Sequence, residues 1–302
     1  MSVGLDAAVA SFAEEVGDAG PVSVVGLGTR GGPGASVDGV RHVSAPAGIE
    51  WIEPAEMTMR CGAGTPVADV DAALAEHGQC VAIPPSGTVG GALAVGRSGL
   101  RRLGWGPVRD TLLQVRYVSA AGDVVKGGGP TVKNVSGFDL CRLLVGSRGT
   151  LGFIGDVILR TRPLPTNEQW FTTTADAWTL LAGLYRPTSV LWDGVTTWVL
   201  LDGHPDDVAE QARRFELEPA DGPPALPSHR WSLPPASLVE LSALSDGDDP
   251  FVAEIGVGVV HHSRPAVDRP CDPVVATMNA RVKAEFDPSG RLNPGIELPS
   301  ST

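Results

Sequence analysis

The stretch VVGLGTRGG, residues 24–32, carries a short hydrophobic run directly into a glycine-rich turn. From Gly26 to Gly31 the spacing is G-x-G-x-x-G, which is typical of a dinucleotide-binding turn. In a Rossmann fold, a helix must follow that turn and receive the pyrophosphate at its N-terminus. Residues 31–34 read GGPG, which argues against a helix there. Two alternatives remain: a surface turn between strands, or a nest of backbone N–H groups that binds phosphate.

Two further segments combine glycines and small residues with a hydrophobic stretch. Residues 84–102 read PPSGTVGGALAVGRSGLRR and add hydroxyl groups at Ser86, Thr88 and Ser98. Residues 144–157 read LVGSRGTLGFIGDV, with glycines at every third position from 146 to 152. Three such turns could together line one long cofactor that has two phosphates and a ring system.

Composition limits the classes of function. The chain has 302 residues, of which 42% are hydrophobic and 19% charged, as in a globular protein. Its net charge of −12 argues against nucleic-acid binding. No apolar run has the length of a membrane span, and the first fifteen residues do not resemble a signal peptide, so we expect a cytoplasmic protein. The cysteines stand singly, which predicts no metal or iron–sulfur site; they are Cys61, Cys80, Cys141 and Cys271.

Periodicity predicts an α+β protein with a change of pattern after Pro163 and Pro165. The predicted helices are 5–16, 67–77, 204–215 and 274–286, and the predicted strands include 153–160, 251–261 and a hairpin of 112–119 with 123–126. The proline-rich residues 217–235 are expected to form a loop. We expect three parts: 1–165, 166–270 and 271–302.

Five motifs in one order resemble the FAD-binding oxidoreductases of the vanillyl-alcohol-oxidase (PCMH) type. The motifs are GLGTRGG, PPSGTVGGALAVGRSG, KNVSGFDLCRLL (133–144), GSRGTLGFIGDVILR and FDPSGRLNPG (286–295). Within this family the chain is most similar to the FAD-binding E subunits of bacterial glycolate oxidases. The resemblance implies a two-subdomain FAD-binding domain in 1–165, a shortened α+β cap domain in 166–270, and a C-terminal segment that returns to the flavin domain.

The resemblance also implies where FAD would lie. The first turn would hold the pyrophosphate through its backbone, and its residues are Gly26, Leu27, Gly28, Thr29 and Arg30. The second segment would follow the ribityl chain and flavin ring, with Thr88, Val89, Gly90, Gly91, Ser98 and Gly99. The third would contact the adenosine side through Gly149, Gly152 and Ile154, and Asn293 would lie near the isoalloxazine.

Some positions leave the chemistry open. Some family members attach FAD to a histidine near the first turn, but no histidine lies between Val3 and Arg41, so we predict non-covalent FAD. The cluster Arg97, Arg101 and Arg102 has two interpretations: ion pairs at a solvated turn, or cations beside the flavin or a docking partner. His261 and His262, expected at the end of strand 251–261, are weak candidates for a base, and hydrogen-bonded structural histidines are the alternative.

The resemblance predicts an FAD-binding subunit of a complex that oxidises glycolate or another 2-hydroxy acid such as lactate. Its partners would be a homologous catalytic flavin subunit and an iron–sulfur subunit that receives electrons, and only these partners would bring it to the inner face of the cell membrane. Two alternatives stay open. One is a self-sufficient flavin-dependent hydroxy-acid or alcohol dehydrogenase, and the other is an assembly scaffold with a decayed flavin site.

Overall fold

The structure, a computed structural model, describes residues 4–29, 37–130, 139–241, 249–266 and 272–296. The chain divides into two compact units. The first comprises Met1–Ser98, Pro107–Leu164 and Pro270–Ser301. The second comprises Gly99–Gly106 and Pro165–Arg269, together with Thr302. Residues 99–106 thus cluster with the second unit although they precede the proline-rich boundary by about sixty positions. The assignment of separate functions to these parts of the chain remains a prediction.

The described part of the first unit contains two sheets. A two-stranded parallel sheet pairs β1 (Val22–Val24) with β2 (Arg41–Val43). Six further strands form a second sheet in the order β3-β4-β8-β6-β7, with β5 also paired to β8. These strands are β3 (Ile49–Glu53), β4 (Thr58–Gly62), β5 (Gln79–Val81), β6 (Leu112–Val118), β7 (Val124–Gly128) and β8 (Phe153–Pro163).

The described helices of the first unit pack apolar residues beside these sheets, and in the last of them these residues are only partly buried. These helices are α1 (Leu5–Val16), α2 (Val67–Ala75), α3 (Val89–Val95), α5 (Leu140–Leu144) and α8 (Pro273–Phe286). In α1, Val9, Phe12 and Val16 follow helical spacing and are buried, and Phe12 and Val16 pack in one core with Val22 of β1 and Val43 of β2. The α2, α3 and α5 helices contribute to the larger core of the six-stranded sheet. Helices and sheets are mixed in this unit, as expected for the α+β class, and its division into two subdomains remains a prediction.

The second unit is a sheet with helices beside it. Seven described strands run in the order β12-β9-β11-β10-β14-β15-β13, and every pairing is antiparallel. They are β9 (Asn167–Thr173), β10 (Ser189–Trp192), β11 (Thr197–Gly203), β12 (Glu218–Ala220), β13 (His229–Ser232), β14 (Phe251–Glu254) and β15 (Val259–His262). The helices among its described residues are α4 (Arg102–Trp105), α6 (Ala177–Gly183) and α7 (Pro205–Arg214). Alternate residues of β9 and β11, including Phe171, Val199 and Leu201, form a core with α6 and α7.

Several local predictions are confirmed, two are wrong, and one helix was not predicted. The hairpin of β6 and β7 and the α1, α2, α7 and α8 helices lie where periodicity predicted them. The prediction of a single strand over 251–261 was wrong, because a turn at residues 255–258 separates β14 from β15. The loop 217–235 was wrong as well, since it contributes both edge strands of the sheet, β12 and β13. The glycine-dense residues 89–95 form α3, for which no helix was predicted.

Candidate functional site

The first glycine turn leaves β1 as exposed backbone. Val25 N–H donates to Val43 O at 2.9 Å, and residues 25–29 are then all exposed. Gly28 adopts a φ of +68° with no atom within 4 Å of the place its Cβ would take, so a side chain there would strain the backbone but would not clash. Arg30 lies outside the described residues. The turn presents a backbone that a large anionic ligand can approach closely.

Thr88 brings the second glycine segment to the first. Its buried side chain caps α3, because Oγ1 accepts a hydrogen bond from Gly91 N–H at 3.1 Å. A Cβ built on Gly26 would lie 3.1 Å from the same oxygen, so the first turn passes directly over the cap of α3. Gly90 N–H donates to Ala63 O at 2.7 Å, which fixes the start of α3 against the end of β4. Val89 is buried, whereas Gly90 and Gly91 keep partial exposure.

Ser98 and Gly99 belong to a loop that closes on itself. The Ser98 Oγ accepts a hydrogen bond from Val108 N–H at 3.1 Å. Gly99 O accepts one from Arg102 N–H at 3.1 Å and begins the segment assigned to the second unit. The Ser98 hydroxyl is therefore used to hold the loop, and its predicted place along the flavin stays a prediction.

The third glycine segment packs on the C-terminal end of α3. Gly146 N–H donates to Leu93 O at 3.0 Å, and Arg148 N–H donates to Ala94 O at 2.8 Å. These bonds satisfy carbonyls that the last turn of a helix otherwise leaves unpaired. The second and third segments are thus joined backbone to backbone.

Gly149, Gly152 and Ile154 are all buried, unlike the first turn. A Cβ on Gly149, whose φ is +72°, would lie 2.6 Å from Asn293 Nδ2, and Gly152 lies against the ring of Tyr117. Close packing within the protein explains both glycines. Contact of these three residues with the adenosine side of FAD remains a prediction, and the structure adds no exposed surface to support it.

Asn293 links the first segment to the third. Its Oδ1 accepts a hydrogen bond from Val24 N–H at 3.2 Å, and its Nδ2 donates to Arg148 O at 2.6 Å. Its own N–H donates to Val22 O at 2.9 Å, next to a parallel bridge between Val22 and Leu292. The partners of Asn293 are more than 140 positions away along the chain. The residue was singled out by its motif, but sequence could not show this role.

The arginines predicted as one cluster have different surroundings. Arg101 forms a two-pronged ion pair with Glu168, at 2.9 and 2.5 Å, and its guanidinium lies 5.1 Å from the ring centroid of Trp105. For Arg101 the ion-pair interpretation holds. In the described ranges, neither Arg97 nor Arg102 has a carboxylate within ion-pairing distance. Those two cations are the ones that can still serve a ligand or a partner.

The histidine pair lies within β15 and not after it. His261 Nε2 is 3.0 Å from Oε1 of the buried Glu254, a partner on β14 that sequence reasoning missed. His262 stacks on Trp231 with ring centroids 3.9 Å apart, and its Nδ1 accepts the Arg264 N–H at 2.9 Å. Burial lowers the pKa of His262, which favours a neutral ring. These contacts agree with the structural alternative, and a catalytic role for either histidine remains a prediction.

The first and second segments fit the requirements of FAD. An acidic protein must offset the two phosphate charges locally, and exposed backbone N–H groups can do this without a basic side chain. The turn at residues 26–29 offers such groups, and the partly exposed backbone of Gly90 and Gly91 adjoins it. A Cβ on Gly90 would lie 2.8 Å from Ala63 Cβ and one on Gly91 3.1 Å from Thr88 Oγ1, so packing within the protein accounts for both glycines. In the described ranges, no group of three or more His, Cys, Asp or Glu side chains could hold a metal ion. No helix of the described residues combines the length and apolar character needed to cross a bilayer.

Comparison with known proteins identifies this region. A family described as FAD binding domain matches residues 6–128. Glycolate oxidase subunit GlcE of Escherichia coli (strain K12) is 34% identical over 158 residues, covering 50% of this chain and 45% of that protein. D-lactate dehydrogenase of Archaeoglobus fulgidus is 40% identical over 108 residues, covering 34% of this chain and 24% of that protein. The chain thus spans less than half the length of these relatives.

A solved structure shows the same fold across almost the whole chain. An alkyldihydroxyacetonephosphate synthase superposes with a TM-score of 0.67 at 13% sequence identity, covering 96% of this chain and 74% of that one. At this identity the likeness concerns the fold alone. Residues 6–128 thus match an FAD binding domain, and parts of the chain are similar to glycolate oxidase subunits and to D-lactate dehydrogenases.

Proposed function

We propose that the chain is an FAD-binding subunit of a complex that oxidises glycolate or a related 2-hydroxy acid. Relatives named as glycolate oxidase subunits GlcE and GlcD and as D-lactate dehydrogenases support this substrate class. The observation that carries the proposal is the meeting of the first glycine turn with the cap of α3 at Thr88. There, exposed backbone and residues without side chains adjoin each other, as a dinucleotide requires.

In this proposal each part of the site has a separate task. The N–H groups of residues 26–29 bind the pyrophosphate, and the adjoining Gly90 and Gly91 admit the ribityl chain and ring. Thr88 holds the second segment in place, because its hydroxyl is occupied by Gly91 N–H. When bound, FAD accepts two electrons from a substrate and passes them to an acceptor. The absence of histidine between Val3 and Arg41 supports a non-covalent cofactor.

Two partners belong to the proposal. A homologous catalytic flavin subunit would oxidise the substrate, and an iron–sulfur subunit would receive the electrons. That two differently named subunits of glycolate oxidase both resemble this chain supports a flavin partner of related sequence. We place the complex in the cytoplasm, with contact to the inner face of the membrane only through those partners.

The cofactor is tested with a matched pair of glycine variants. Gly28 and Gly39 both have positive φ angles, +68° and +76°, and neither has an atom within 4 Å of a built Cβ. Gly28→Asp and Gly39→Asp therefore cause similar backbone strain, but only the first adds a carboxylate beside the proposed pyrophosphate. A like charge about 4 Å away costs about 4 kcal/mol at an effective dielectric near 20, or about three orders of magnitude in Kd.

We expect the purified chain to show flavin absorbance, Gly39→Asp to keep it and Gly28→Asp to lose it. Equal retention by both variants would exclude the first turn as the pyrophosphate site. A wild-type protein that neither carries nor takes up FAD would instead support the decayed-site scaffold.

The subunit assignment is tested by anaerobic reduction with glycolate and with D-lactate. We expect the flavin of the isolated chain to stay oxidised and that of the assembled complex to bleach. Bleaching of the isolated chain at a comparable rate would identify a self-sufficient dehydrogenase and would contradict the subunit proposal.

A further inference from the structure

The side chain of Asn293 connects two of the glycine segments. The proposed FAD binding does not by itself require such a connection. The Asn293 carboxamide accepts from Val24 N–H at 3.2 Å and donates to Arg148 O at 2.6 Å. Val24 is the last residue of β1, and the first glycine turn begins two residues later. Arg148 belongs to the third glycine segment and is itself bonded to α3 through Ala94 O. One side chain therefore ties the base of the first turn to the segment that packs on α3.

The conformation of Asn293 fits this role. Its φ is +45°, in the left-handed region that asparagine tolerates better than most residues. A Cβ on the neighbouring Gly149 would lie 2.6 Å from Nδ2, so only glycine leaves room for the amide to reach Arg148 O. The residue types at 293 and 149 thus both suit the hydrogen bond between Asn293 Nδ2 and Arg148 O.

The segment that carries Asn293 is itself held firmly. The buried Asp287 carboxylate accepts N–H groups of Arg291 at 3.0 Å and Leu292 at 2.9 Å, and Lys283 Nζ lies 2.6 Å away. The Arg291 guanidinium donates to main-chain carbonyls at the C-terminal end of α1, including Val16 O at 2.7 Å. Because this backbone is fixed, the Asn293 amide has little freedom to move with Val24 or Arg148. We call the Asn293 side chain, with its two hydrogen bonds, the clamp.

We propose that Asn293 is a positioning residue. Its side chain bridges Val24 N–H and Arg148 O and so holds the first glycine turn in its FAD-binding conformation, without contacting the flavin. The inference rests on the proposed binding of the pyrophosphate at residues 26–29. A turn that is already ordered binds its ligand more tightly, because the binding free energy does not include the entropy loss of ordering the turn. Loss of the clamp should therefore weaken FAD binding even though no contact to FAD is removed.

The test compares three variants of the full chain. Asn293→Gly keeps the left-handed backbone and removes both side-chain bonds. Asn293→Asp keeps an acceptor for Val24 N–H and loses the donor to Arg148 O, and it replaces the glycine variant if that one does not fold. Ala284→Gly, at an exposed position of α8, is the control that lowers stability without touching any glycine segment.

Three measurements are made on each: the Kd of the apoprotein for FAD by fluorescence titration, the Tm, and hydrogen exchange at the Val24 amide. We expect Asn293→Gly to raise Kd about 10-fold and to speed exchange at Val24. We expect Asn293→Asp to raise Kd as well, because its carboxylate oxygen would face Arg148 O with no hydrogen to donate. Ala284→Gly should lower Tm while keeping the wild-type Kd and the wild-type exchange at Val24.

Two results would overturn the inference while leaving the proposed function standing. One is a wild-type Kd in Asn293→Gly. The other is an equal rise of Kd in Ala284→Gly, which would show that general stability and not the clamp controls binding. Failure of the wild-type chain to bind FAD would refute the proposed function, and the inference with it.

Discussion

Asp156 and Asp6 bind the same two arginines, but only Asp156 is buried. The Asp156 carboxylate lies 2.6 Å from Arg60 Nε and 2.5 Å from Arg116 Nε, with 1% of its side chain exposed. Asp6 Oδ1 lies 2.7 Å from Arg60 Nη2 and 2.8 Å from Arg116 Nη1, with 73% exposed. The pair offers a test of how much of the first unit's stability depends on one buried carboxylate.

Asp156→Asn keeps the shape of the side chain, removes its charge and turns one acceptor into a donor that faces a guanidinium. Each charge-assisted hydrogen bond contributes about 1.5–3 kcal/mol, and breaking a buried pair by removing one partner costs about 3–5 kcal/mol. We expect a loss of about 3–4 kcal/mol, which lowers Tm by roughly 6–16 °C in a unit of this size. Asp6→Asn should lower it far less, because water replaces the lost carboxylate.

The assay is thermal unfolding followed by calorimetry, together with urea unfolding followed by circular dichroism, on wild type and both variants under identical buffer and salt. Raising the salt concentration should shrink the small effect of Asp6→Asn and leave that of Asp156→Asn nearly unchanged, because buried pairs are screened less. Equal Tm values for the two variants, or a loss below about 1 kcal/mol in Asp156→Asn, would refute the reasoning that burial decides the contribution.

Two further predictions concern acid sensitivity and backbone packing. Burial raises the pKa of Asp287, but hydrogen bonds from Lys283 and from the backbone outweigh it and hold this pKa below its usual value. The Asp287 carboxylate therefore stabilises the fold above about pH 4, and this stabilisation is lost as the pH falls through the lowered pKa. Asp287→Asn should reduce Tm at pH 7, and the difference from wild type should shrink in scans at lower pH. A Cβ on Gly62 would lie 2.2 Å from Pro46 O, so Gly62→Ala should cost about 1–3 kcal/mol of unfolding free energy and more than Gly78→Ala, where φ is +64° but the space is open; equal urea midpoints would contradict this.

Local patterns in the sequence were sufficient for much of the fold. The α1 helix could be predicted because Val9, Phe12 and Val16 repeat at helical spacing and Gly17 ends the run. The hairpin of β6 and β7 followed from its short Ala-Ala-Gly connection. In each case the deciding information lies within about fifteen neighbouring residues.

The wrong predictions and the unpredicted helix share a different cause. The α3 helix contains Gly90 and Gly91, which lower intrinsic helix propensity, and its stability depends on the Thr88 cap and on burial of Val89 and Leu93. The edge strands β12 and β13 occur in a proline-rich segment and exist because β9 and β15 supply their partners. Tertiary pairing outweighed local propensity at these places.

The residues of the candidate site could be predicted from motifs, but their contacts with one another could not. The glycine segments and Asn293 were identified from residue types in a familiar order. That Gly26 passes within contact of Thr88, or that Asn293 spans Val24 and Arg148, depends on chain segments that meet only after folding. A motif names such residues, whereas only the folded chain shows which of them are exposed.

The pairing of Val22 with Leu292 has a consequence for the order of assembly. Contacts between residues about 270 positions apart form late, because a long loop must close before the contact stabilises anything. During synthesis the six-stranded sheet can form while the downstream chain is still on the ribosome. Strand β1 pairs with β2 on one side, and the pairing on its other side forms only after residues 291–293 have emerged. We therefore expect nascent chains to gain sheet structure first and competence to retain flavin only afterwards.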